Sequence, residues 1–417
     1  AATMGACQEN ARRRTIAADG HHDARGARTC GACCKEDYAR RIPLAALSWR
    51  MVEAPKCRFS GAMRGVDRPM ARLRLTATAC GMRLGAGGVF ALVLVVCGCQ
   101  RAPGPVEQTR SREIMGTFAN LTVVADSRQV AAAALDAGYQ RLDHVNRLMS
   151  DYIDDSEVGR LNALPPNTEM VVSPETFTCI QAALGVSEAS EGAFDITCRP
   201  FVVLWKQCAR AGRLPTAEEI HEAQQRVGWR FVRLNADSRS VSKAVADLQI
   251  DLGAIAKGYA LDLAGAAMLA AGARGALVDV GGDVLALGRN AEGVPWRLGV
   301  RHPFADGIIL RLALEDRAVA TSGNQQRFYD IGGKRYSHIV DPRTGMPVEQ
   351  APSVTVIARD GMTADAWSTV LSVLSVEAGQ ALLASGDAPE IEALWIRGTR
   401  EAPQLDFSPG FRQFVLE

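Results

Sequence analysis

Thr363-Ala-Asp365-Ala-Trp-Ser-Thr369 places a carboxylate and a hydroxyl four residues apart. On a helix both oxygens face one side. The pair suits a hard cation such as Mg2+, which keeps waters and takes substrate phosphates at its other positions. The helix dipole alone also favours an Asp near an N-terminus, without any ion. A second segment, Asp251-Leu-Gly-Ala254-Ile-Ala-Lys257-Gly258, reads as an Asp closing a strand, a Gly turn, and a helix with Lys257 in its first turn. A Lys there opposes the dipole, so a phosphate fits beside it. The plainer account is a solvated Lys with Asp251 as the cap. Gly281-Gly282-Asp283 stands between two expected strands, where paired glycines admit a ligand close to the backbone or simply turn a hairpin. His338-Ile-Val-Asp341-Pro-Arg-Thr-Gly345 is turn chemistry, with His338 either a general base or an exposed loop histidine.

The elements that must hold these groups alternate helix and strand without a regular βαβ rhythm. Gln129 to Met149 carries Leu135, Leu142, Val145 and Met149 on one helical stripe. Ser173-Pro174 opens a second helix. Thr216-Ala-Glu-Glu219 is a capping box for a third. Ala254 to Ala271, closed by Gly272, is a fourth, and Thr363 to Leu374, with Thr363 as cap, a fifth. Strands are expected over 114–124, 231–234, 276–280, 284–287, 297–300, 308–314 and 354–358. No Gly-x-Gly-x-x-Gly follows a strand and opens a helix, so a Rossmann dinucleotide site is unsupported. The class is α+β.

The chain has 417 residues with 47% hydrophobic and 22% charged side chains, which excludes wholesale disorder. Its formal charge of +1 hides an asymmetry. Residues 1–100 hold 16 Lys+Arg against 7 Asp+Glu, and the remainder 31 against 39. An acidic body argues against nucleic acid as a partner. Eight of the 11 cysteines lie at or before Cys99, so the body is neither a disulfide scaffold nor a thiolate-metal protein.

Residues 1–69 show no countable period and read as unstructured, or as a non-native extension upstream of Met70. Cys30-Gly-Ala-Cys33 has the spacing of half a zinc site, without the other half. Residues 70–99 read as a signal peptide: Arg72, Arg74 and Arg83, then 13 uncharged residues from Leu84 to Val96. The run is too short to span a bilayer comfortably. Its end, Val96-Cys97-Gly98-Cys99, resembles a lipobox, with Cys99 as the lipidated residue; the alternative is a signal anchor that is not cleaved. Residues 100–112 are a Pro/Gly/polar tether, and 113–417 are long enough for one large core or two small ones. This predicts a bacterial protein lipid-anchored at the cell membrane and facing the periplasm.

In their order the segments resemble the ApbE family, the FAD:protein FMN transferases once called thiamine-biosynthesis lipoproteins. The likeness runs from Met115-Gly-Thr117 through Met149-Ser-Asp-Tyr152, Ser156-Glu157, Gly192-Ala-Phe-Asp195-Ile-Thr197, Asp251 to Gly258, Gly281 to Asp283, Thr321-Ser-Gly323 and His338 to Gly345, to Asp365 and Thr369. It covers residues 113 to about 400. It implies an ApbE-like single domain of mixed sheets and packed helices. It implies Mg2+-dependent transfer of the FMN half of FAD to a threonine hydroxyl of a target protein, releasing AMP. The family's usual acceptors are redox-pump subunits. Met115, Tyr152, Ala193, Phe194, Asp195, Asp251, Lys257 and Ile339 match FAD contacts. The metal falls to Asp365, Thr369 and the carbonyl of Ala254, and catalysis to His338. Cys198, Arg199 and Asn324 depart from the family pattern. Two other activities would use the same residues: FAD pyrophosphatase, or FAD binding without chemistry.

Overall fold

Alternation decides the architecture: successive residues of the central strands belong to two different hydrophobic cores. Val354, Val356 and Ala358 pack in one core and Ile357 in the other, and Ala318 and Ala320 oppose Val319 in the same way. Strands buried on both faces need a layer on each side. The computed structural model describes residues 104–323, 328–348 and 353–416, all within one compact unit. The expected leader, Cys99 and Asn324 lie outside the described residues.

The described chain opens on strands β1 (Val106–Ile114) and β2 (Thr117–Ala125), then helix α1 (Arg128–Met149). Next come α2 (Glu157–Ala163), β3 (Met170–Val171), α3 (Pro174–Ala189), α4 (Arg199–Arg210) and α5 (Ala217–Gln224). β4 (Val232–Asn235) and β5 (Ser240–Lys243) lead to α6 (Ala256–Ala270). β6 (Gly275–Val280), β7 (Asp283–Leu287), β8 (Trp296–Arg301), β9 (Ile308–Leu314) and β10 (Arg317–Ser322) follow. Two small hairpins are β11 (Phe328–Ile331) with β12 (Lys334–Ser337), and β13 (Val340–Asp341) with β14 (Met346–Pro347). β15 (Ser353–Ala358), α7 (Gly361–Val373), α8 (Val376–Ser385), β16 (Glu392–Gly398), β17 (Pro403–Phe407) and β18 (Val415–Leu416) complete the domain.

The main sheet has the order β1-β2-β6-β7-β10-β15-β16-β17, with every neighbouring pair antiparallel. Helices α1, α6 and α7 pack on one face, and the sheet β18-β9-β8 covers the other. This is the expected α+β class. A third, separate core joins Phe201 and Trp205 of α4 to Ala223, Ile331 and Val340. No helix among the described residues is long and apolar enough to cross a membrane.

The first four expected helices are present, with Ser173 capping α3 and a complete capping box at Thr216. Three local readings are corrected. Residues 114–124 are not one strand: Met115 and Gly116, both at positive φ, turn a hairpin there. β1 therefore takes in residues 106–112, which composition assigns to the tether. The cap of α7 is Asp360, whose Oδ1 accepts the Thr363 amide at 2.8 Å, not Thr363 itself. Asp251 closes no strand; its Oδ1 accepts the Gly253 amide at 2.8 Å in a local turn.

Candidate active site

Helices α6 and α7 cap each other. Asp262 of α6 accepts the amides of Gly361 and Met362 at 2.6 and 3.0 Å. Asp365 of α7 returns the arrangement, its Oδ2 accepting the Gly258 amide at 3.0 Å. Helix N-termini leave amides without partners, and here a neighbouring helix supplies the acceptor. The crossing brings Gly258 against Gly361, so a methyl at Gly258 would press into the Gly361 carbonyl. A close backbone approach of this kind requires glycine. Gly258→Ala is expected to cost at least about 1–3 kcal/mol by overpacking. Urea unfolding checks it; an unchanged midpoint would show that the crossing adjusts freely.

The same crossing delivers Lys257 between two buried carboxylates. Its Nζ lies 2.8 Å from Asp365 Oδ1 and 2.9 Å from Asp283 Oδ2. Asp283 is 5% exposed and Asp365 3%. Burial works to lower the Lys257 pKa, but the two carboxylates outweigh it and hold the ammonium well above its ordinary range. Burial pushes Asp283 up to about 6; Lys257 pulls it down and Asp365 adds to the rise. Two acids share one cation, so the cluster carries uncompensated negative charge. β10 supplies the frame: Asp283 Oδ1 accepts the Thr321 amide at 3.3 Å. Ser322 Oγ lies 2.8 Å from Ser368 Oγ and 3.3 Å from Thr369 Oγ1.

The other expected residues lie outside this cluster, on the turns and loops of other elements. The hairpin turn at Met115 lies beside the Gly281–Gly282 turn, where the Gly281 amide donates to the Phe118 carbonyl at 3.0 Å. A methionine at φ 54° is uncommon, and here the two-residue turn between β1 and β2 requires it. Asp251 connects to the Ala193–Thr197 loop, its amide donating to the Ile196 carbonyl at 2.7 Å. Ala193 and Phe194 are buried in the main core. Asp195 is engaged within its own loop: Oδ1 accepts the amide and hydroxyl of Thr197, both at 2.7 Å, and Oδ2 the Trp229 amide at 2.9 Å. Its pKa is raised by burial against those bonds. Cys198 follows at the start of α4, its thiol pushed up by burial, so it acts as a small neutral group. Arg199 pairs with Asp151 and lies 5.8 Å from the ring of Tyr152, which is 87% exposed. His338 and Ile339 are half-buried at the neck between β12 and β13. Ala254 is half-buried against the main core, just ahead of α6.

A family model described as the ApbE family matches residues 115–395. The chain belongs to the ApbE family. An FAD:protein FMN transferase of Vibrio cholerae is 33% identical over 333 residues, covering 78% of this chain and 97% of that protein. Another of Treponema pallidum is 33% identical over 327 residues, covering 73% and 89%. The crystal structure of an ApbE protein from Thermotoga maritima is similar with a TM-score of 0.67 at 32% identity, over 75% of this chain and all of that one. The flavin transferase ApbE of V. cholerae matches at 0.66 and 31%, over 74% and 99%.

Whether this ApbE-family site suits Mg2+ is a question of donors. Among the described residues no group of three or more His, Cys, Asp or Glu side chains could hold a metal ion. Mg2+ takes few protein oxygens and completes its shell with waters and phosphates. Asp365 and Thr369 carry hard oxygens one helical turn apart, beside the second carboxylate of Asp283. The residues fit the ion. Asp283, absent from the sequence-derived site, is a full member of the cluster in this ApbE-family chain. Its signal was the Gly281-Gly282-Asp283 motif, which a hairpin alone explained.

Proposed function

We propose that the protein transfers the FMN half of FAD to a threonine hydroxyl of an acceptor protein and releases AMP. The observation that carries this is the Lys257 ammonium between Asp283 and Asp365 at the N-terminus of α6, in a chain of the ApbE family. A helix N-terminus receives phosphate oxygens, and the surplus negative charge of the cluster calls for a further cation beside them. Lys257 binds the pyrophosphate there. Asp283, fixed to β10, keeps the ammonium in place. Asp365, Thr369 and the Ala254 carbonyl would hold Mg2+, which when bound neutralises charge on the pyrophosphate. Met115 and Ile339 form the wall for the flavin, backed by the buried Ala193 and Phe194, and Tyr152 offers an exposed ring face for stacking. Asp195 acts on this wall by fixing the backbone of its loop. Asp251 holds the turn that leads into α6.

In the reaction His338 takes the threonine proton, the threonine oxygen bonds to the FMN phosphorus, and the bond to the AMP oxygen breaks. Lys257 stabilises the charge that develops on AMP. The leader reading adds a lipid anchor at Cys99 and a site on the periplasmic face, where exported redox-pump subunits would be the acceptors. The test mixes the protein with FAD, Mg2+ and such an acceptor, with and without chelator. A flavin fluorescent band that survives denaturation, and disappears with chelator, is expected. Free FMN and AMP with every acceptor offered would replace the transferase by a hydrolase. Unchanged FAD would leave a binding protein.

A further inference from the structure

We propose that Trp205 is a positioning residue that sets the catalytic histidine through the hairpin on which it is mounted. The inference rests on reading His338 as the base. Trp205 lies on α4, far from His338 in sequence, and is 1% exposed. It touches both arms of the segment that carries His338. On the entry arm its ring lies 5.5 Å from that of Tyr336, two residues before the histidine. On the return arm its indole N–H donates to the Gly345 carbonyl at 2.8 Å.

The two arms are tied to each other. Val340 pairs with Pro347 and Asp341 with Met346, and the Val348 amide donates to the Ile339 carbonyl at 3.0 Å. The turn between them is closed by the Gly345 amide on the Asp341 carbonyl at 2.8 Å and by Arg343 on Asp341. Gly345 sits at φ 71°, and a methyl there would come within 2.5 Å of the Phe201 ring, one turn before Trp205 on α4. The histidine at the neck of this hairpin is thus oriented by the helix behind it. Above it, Ser337 Oγ accepts the Ile339 amide at 3.0 Å and fixes the backbone on either side of His338.

A base must lie within hydrogen-bond reach of its proton, and a misplacement of about 1 Å costs about a hundredfold in rate. Removing the indole N–H leaves the Gly345 carbonyl buried without that partner and frees the turn to shift. The helix that holds the turn begins directly after the Ala193–Thr197 loop, so flavin wall and base share one mount.

The test is Trp205→Phe in the full chain, which keeps a ring against Tyr336 and loses the donor. The expected result is a fall in the transfer kcat of roughly 10–100-fold with the KM for FAD within about twofold. A second arm compares the same substitution in a His338→Ala background, with AMP counted over long incubations. There Trp205→Phe is expected to cost nothing further, because the residue acts through the histidine. An unchanged kcat, or an equal loss in both backgrounds, overturns the proposal. If Trp205→Phe fails to fold by near-ultraviolet circular dichroism, Tyr336→Leu weakens the other arm and is read in the same two backgrounds. Wild-type protein that makes no adduct would instead overturn the transferase reading itself.

Discussion

Asp365→Asn should leave a folded protein and abolish Mg2+-dependent transfer, with kcat/KM lower by about a thousandfold or more. Asp365 does three things at once: it caps α6 at Gly258, pairs with Lys257 and offers an oxygen beside Thr369. The amide keeps one acceptor oxygen for Gly258, removes the charge and turns an NH2 donor toward Lys257, which then rests on Asp283. Asp365→Ala removes everything, leaves the Gly258 amide without its acceptor and frees Lys257 to rest on Asp283 alone. Both variants should lose activity and some stability, the alanine variant more stability because it also leaves the Gly258 amide without an acceptor. Denaturant midpoints and Mg2+ titrations of the rate separate the two. Full activity in either variant would remove Asp365 from the metal site.

His338→Ala should keep FAD binding within about threefold and lower transfer by about 10²–10⁴. The histidine stands just before the β13–β14 hairpin and not among the charges that hold Lys257, so its loss should leave those charges in place. Flavin fluorescence titration reports binding and the covalent adduct reports transfer. Loss of both together would make His338 part of the binding wall. Survival of transfer would mean that the threonine proton leaves by another route.

Much of the frame was legible in the sequence because its signals are local. The stripe of α1, the Ser173-Pro174 start of α3 and the capping box at Thr216 each follow from residues within one or two turns. The cap of α7 was misplaced because Asp360 and Thr363 are both good capping residues three apart, and the carboxylate takes the role. The first hairpin escaped because Met115-Gly116 is not one of the usual Asn-Gly or Asp-Gly turns. α4 left a readable trace, with Phe201, Trp205 and Cys208 at spacings of four and three, yet was not recognised beside Pro200.

The sequence offers candidate residues one at a time and not their arrangement. Lys257, Asp283 and Asp365 come from α6, β7 and α7, and no spacing along the chain announces that their charges meet. Asp195 shows the converse. The resemblance marks its position, but only the fold shows both oxygens holding the loop around Thr197 and Trp229.

The central claim is group transfer to protein, and the intact mass of the acceptor tests it most directly. Incubated with FAD, Mg2+ and the full chain, an acceptor should gain the mass of FMN less one water. AMP should appear in equal amount, and the acceptor with its target threonine changed to alanine should gain nothing. AMP formed without any acceptor mass change, across acceptors that other flavin transferases modify, would contradict the account.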